Sequence, residues 1–139
     1  MLLGIMALLG LNGNADSSNL NYHKFERWVN ASLEKGVPSQ VCAFCFNLYE
    51  DVPDSRYSVE IVGTSSFDKD DSDWACDEVF TNRENPLKWK SQKPWDEVLI
   101  DVEGLIRKYL QHGKYSQLLR SKKGIGCGFV EGDVEILFP

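Results

Sequence analysis

Residues 40–50 read QVCAFCFNLYE, and both alternating sets of side chains in that stretch are rich in apolar groups. A β-strand points successive side chains to opposite faces. A strand that is apolar on both sets belongs in the middle of a sheet, covered on both sides.

Asp16, Ser17 and Ser18 offer N-cap oxygens for a helix running to about Lys35, with Gly36 as its stop. Tyr22, Phe25, Val29 and Leu33 form its apolar stripe, widened by Trp28. Pro38 forbids continuation. After the central strand, residues 51–54 with Pro53 make a turn. Residues 56–64 (RYSVEIVGT) alternate, so they predict an antiparallel partner with one wet face carrying Ser58 and Glu60. Residues 65–74 read as a polar loop and residues 75–81 as a short third strand. Residues 82–93, with Pro86 and Trp89, read as irregular. Pro94 suits the first turn of a helix, which continues to Gln111 on the spacing of Trp95, Val98, Leu99, Val102, Leu105 (or Ile106), Tyr109 and Leu110. Acids lead and bases trail along it, as the helix dipole prefers. Residues 115–120 add a short helical turn. Residues 124–130 and 134–138 are two strands joined through Glu131, Gly132 and Asp133, a hairpin.

The order is α-β-β-β-α-β-β, with the extra turn after the second long helix. Long helices bracket the strands rather than alternating with them. The expectation is an α+β fold: a mainly antiparallel sheet of about five strands with two main helices packed on it. A chain of 139 residues suits a single domain, here residues 16–139. Before it stands an apolar segment, residues 1–15. Gly13, Asn14 and Ala15 resemble a signal-peptide cleavage site, but no Lys or Arg precedes the apolar run. A short core element or a non-native start are the other readings of that segment. A secreted ligand-binding domain would require its removal.

Cys42, Cys45, Cys76 and Cys127 are too few for a dense disulfide framework. Cys42 and Cys45 fall on a strand, where a spacing of three puts them on opposite faces, unsuited to a shared zinc or a thioredoxin-type pair. Buried free thiols in a reducing cytoplasm are expected. No run reaches the roughly 18 apolar residues of a membrane span. The formal net charge of −6 argues against nucleic acid as a direct ligand.

Catalytic patterns are missing from the chain: no nucleophile elbow, zinc-protease helix or phosphate loop occurs. His23 and His112 lie far apart at helix surfaces or ends. Gly124, Gly126 and Gly128 are followed by strand rather than helix, so they do not build a phosphate cradle. They lie on one face of their strand, and the expected use is room for a helix or an aromatic ring. A carboxylate-only enzyme of the glycosidase kind is left as a minor alternative. No cofactor is implied.

Charge is the feature that stands out. Residues 50–78 hold ten carboxylates against two bases, Arg56 and Lys69. A calcium loop over Asp68–Asp73 lacks the turn glycine and the bidentate glutamate, so no metal site is expected. Two readings are left open: a solvated loop, or a docking surface for a cationic protein. In the docking reading Asp68, Asp70, Asp71, Asp73, Asp77 and Glu78 set approach and register, and Trp74 with Phe67 supplies desolvated contact.

Trp74-Ala75-Cys76-Asp77-Glu78-Val79-Phe80, then Trp95, then Gly128-Phe129-Val130-Glu131-Gly132-Asp133 resemble small bacterial proteins of unknown function. Some of these are encoded beside polymorphic or contact-dependent toxins and are treated as immunity proteins. The resemblance spans about residues 20–138. It implies a non-enzymatic, cytoplasmic α+β domain that binds and blocks a cognate toxin domain, often a nuclease. The alternative is a structural, homodimeric domain, with Trp89 and Trp95 marking the self-association surface.

Overall fold

The computed structural model describes residues 19–51 and 54–139. The apolar segment and the expected caps Asp16, Ser17 and Ser18 lie outside the described residues. The first helix, α1 (Tyr22–Leu33), starts where its apolar stripe starts, later than the expected caps suggest. Asn21 is its cap: the residue is extended and its side-chain oxygen accepts from Lys24 N at 2.9 Å. The helix ends before Gly36, whose φ of +103° is open to glycine at no steric cost.

The strands are β1 (Ala43–Asp51), β2 (Arg56–Thr64), β3 (Glu78–Thr81), β4 (Leu87–Lys90), β5 (Gly124–Phe129) and β6 (Glu135–Phe138). Between β4 and β5 come α2 (Trp95–His112) and the short α3 (Ser116–Arg120). The fold is α+β, with one open and mostly antiparallel sheet ordered β3-β2-β1-β5-β6. β1 and β5 run parallel, so the chain crosses over through α2 between them. The doubly apolar strand is indeed central. On one face, Phe44, Phe46 and Leu48 of β1 meet Phe25, Val29 and Leu33 of α1 and Val98, Val102 and Ile106 of α2. Each such buried side chain contributes about 1.5–3 kcal/mol. Across the helices, Tyr109 donates to Asn30 Oδ1 at 2.5 Å and accepts from Tyr115 N at 3.1 Å.

Two expectations need correction. Residues 82–93 are not wholly irregular: β4 pairs with the first half of β2, while β3 pairs with its second half. Asn82 fills the break between them. Its backbone N–H donates to Ile61 O at 3.2 Å, its side-chain oxygen accepts from Ile61 N at 2.8 Å, and its Nδ2 donates to Ser32 Oγ at 2.7 Å. A four-residue strand beside a proline is too short to show as a period. Trp89, placed on β4, is buried and stacked on Tyr57 at 6.1 Å, so it marks no self-association surface. The second correction concerns β2. The predicted wet face is covered: Glu60 is only 2% exposed, and Val62 and Thr64 are buried. No helix of the described residues is long and apolar enough to cross a membrane.

Candidate functional site

The acidic segment itself covers part of that second face, beside the Glu60 end held by Arg83. Residues 65–77 connect β2 to β3 and include a 3₁₀ turn, Ser72–Cys76. Phe67 and Trp74 fold inward, their rings 4.9 Å apart and edge to face. With Ala43, Cys45, Val134 and Ile136 they form a small second core. The glycines of β5 make this close approach possible. A Cβ on Gly124 would overlap the Phe67 ring, and one on Gly126 would lie 3.0 Å from the Trp74 ring and 2.8 Å from Val134. The expectation that these glycines leave room for an aromatic ring is met at Gly124 and Gly126; at Gly128 the space is taken by the Asp133 backbone carbonyl instead.

Trp74 and Phe67 were expected to face a partner, and the structure corrects this. Trp74 is 3% exposed, and Phe67 is half-buried against it. The bare glycine strand would otherwise present backbone to water, and ring burial there is worth more than ring display. The Trp74 Nε1 donor is buried without an acceptor among the described residues.

Anchored from inside, the loop is also held along its length. Asp68 accepts from Asp70 N at 2.9 Å, and Asp71 accepts from Asp73 N at 3.0 Å. Thr64 Oγ1 donates to Ser66 O at 2.8 Å, Ser65 N donates to Asp77 O at 2.9 Å, and Ser66 Oγ donates to Asp77 Oδ2. Asp68, Asp70, Asp71, Asp73 and Asp77 are all exposed, and none makes an ion pair among the described residues. One base, Lys69, lies among them.

Glu78 does not belong with them. It is ion-paired to Arg83 at 3.0 Å. Arg83 also holds Glu60 through Nε at 3.0 Å and a terminal nitrogen at 3.1 Å. Tyr49 Oη donates to the same carboxylate at 2.7 Å and Asn47 Nδ2 at 3.3 Å. Burial alone pushes the Glu60 carboxyl up, but these donors outweigh it and hold it below its ordinary value. Alternation assigned Glu60 to solvent, so the network was missed. The signal was the hairpin register, which pairs Asn47 with Glu60 across the strands.

The remaining chemical candidates stay apart. His23 and His112 are exposed, on α1 and at the last residue of α2. All four cysteines are free thiols. Cys45 and Cys127 are buried, as expected, and burial pushes the Cys45 thiol up to about 12 and Cys127 well above its ordinary range. Cys42 is half-buried, and Cys76 departs from the expectation: it is exposed, because the inward side of its tight turn is taken by Trp74. Among the described residues no three His, Cys, Asp or Glu side chains converge as metal ligands. Comparison of the chain with protein-family models, curated proteins and solved structures found no match.

Proposed function

We propose that this chain is a non-catalytic binding domain that recognises a cationic protein through its acidic loop. The observation that carries the reading is the set of five exposed aspartates on a loop pinned by the Trp74 and Phe67 rings, with no cation paired to them among the described residues. Clustered carboxylates steer a basic partner and speed its approach. A loop already ordered loses little conformational freedom on binding. In this reading the chain acts in the cytoplasm as an immunity-type protein. It neutralises a toxin domain, a nuclease above all, whose basic phosphate-binding cleft would receive the loop. Such a role asks for charge and shape rather than an acid–base pair.

The test is binding to the basic domain of a toxin encoded beside this chain's gene. Reversing Asp68, Asp70, Asp71 and Asp73 to lysine should slow association at least about tenfold at low salt, with dissociation less affected. Unchanged association and inhibition after the four reversals would reject the surface. A neighbourhood with no toxin reading frame would remove the neutralising role and leave only the binding domain.

A further inference from the structure

At the far end of the sheet from the acidic loop, a groove of about 390 Å³ opens where β1 and β5 end. Tyr49 lies six residues along β1 from Ala43, a span of about 20 Å at strand rise. The groove wraps the end of the sheet: Trp95 and Phe129 line it from the face that carries the helices, Tyr49 belongs to the opposite face, and Val130, Glu50 and Glu131 complete the lining. Trp95 is 53% exposed and Val130 50%, unusual values for side chains of this kind gathered in one place.

The walls are held in place. On the opposite face of the sheet the Tyr49 hydroxyl is tied to Glu60 at 2.7 Å. Trp95 meets Phe129 edge to face at 5.9 Å. Val130 N donates to Leu48 O at 3.0 Å, and Gly132 N donates to Phe129 O at 2.8 Å, which closes the turn below the groove. Glu50 accepts from the Tyr57 hydroxyl at 3.3 Å. Both charged residues lining the groove are acids, and none is a base. Two other concavities of the described residues carry lysine or arginine beside an aspartate.

From this juxtaposition we infer that the groove is a binding site for a lysine or arginine side chain presented by a partner polypeptide. The Trp95 and Phe129 rings take the aliphatic stem and the face of the cation, and the two glutamates take its charge. A second copy of this chain is the poorer occupant. It would bring the same acidic rim, and a two-fold contact would set Glu50 and Glu131 against their own copies. The inference stands apart from the acidic loop: either site can fail without the other.

The experiment is a titration followed by NMR on the intact protein. The probe is a short capped peptide of glycine and serine around one arginine, and its twin carries neutral citrulline. With the arginine peptide, the Trp95 indole N–H and the Val130 and Gly132 amides should shift to saturation. The affinity should fall about tenfold in Val130→Lys and in the Glu50→Gln/Glu131→Gln pair. Val130 sits in an exposed turn, so its replacement leaves the fold intact and keeps the test sharp. The inference is overturned if the citrulline peptide shifts the same signals equally, or if the Trp95 signal stays still at saturating peptide. It is overturned as well if the shifts fall on residues 68–77 and survive Val130→Lys. Groove signals that move on dilution of the protein alone would assign the groove to a second copy.

Discussion

Glu60 and Arg83 share an ion pair unequally: the Glu60 side chain is 3% exposed and the Arg83 side chain 51%. Removing the arginine strands a buried carboxylate, while water still reaches part of the site. Arg83→Ala should therefore cost about 2–3 kcal/mol, below the full penalty of a sealed pair. Adding Glu60→Gln to it should recover much of the loss, measured by urea unfolding. Because the Glu60 carboxyl is held below its ordinary value, its contribution is present above the unfolded-state value and lost as pH falls through the folded one. Glu103 behaves oppositely. It is buried on α2, its Oε2 has no partner among the described residues, and burial followed by the Glu135 carboxylate pushes it up to about 7 against the opposing pull of Arg107. The folded state then holds the extra proton, so this group subtracts stability as pH rises from its ordinary 4.5 to about 7. Glu103→Gln should raise stability above pH 7, by an amount on the order of 2 kcal/mol, and flatten the pH profile in that window. Thermal melts across pH give the comparison, and a variant that tracks the parent would refute the assignment.

At the scale of elements, the acidic loop is a structural part as much as a surface. Trp74→Ala should destabilise the whole domain by about 3 kcal/mol, since a large ring leaves a core it shares with a glycine strand. Trp74→Phe should cost clearly less, because it keeps a ring and removes the donor that lacks an acceptor. Gly126→Ala should push Trp74 outward, and hydrogen exchange of the Asp77 amide, which donates to Trp74 O, should quicken more than that of α2. Equal exchange in the loop and in α2 would show that the loop is not anchored this way. The elements themselves were legible where a period was long. The doubly apolar β1 and the middle of the α2 stripe appear in the sequence as they stand in the fold, but Trp95, read as part of that stripe, is 53% exposed, and Leu99 and Leu105 are only partly buried. β4 was not legible, because four residues cannot establish alternation. The cap of α1 was misplaced, because Asp16, Ser17, Ser18 and Asn21 all carry the same capping chemistry.

For the whole molecule, the excess of acid matters through its placement. The exposed aspartates repel one another, and repulsion of this kind weakens with salt. Asp70 and Asp73 do not serve as turn acceptors through their side chains, so Asp70→Asn with Asp73→Asn should leave stability unchanged or raise it by about 0.5 kcal/mol at low salt. A loss of stability in that pair would mean the charges support the fold rather than a partner. The sequence by itself determined the α+β class, the central strand, the long amphipathic helices and the concentration of charge, because each depends on composition or on a period along the chain. Only the tertiary structure decided that Trp74 and Phe67 turn inward, that Glu60 and Glu78 answer to Arg83, and that Tyr49, Trp95 and Val130 meet at one groove. Those outcomes depend on which distant segments share a face, and strand pairing and crossover set that, not the local order of residues.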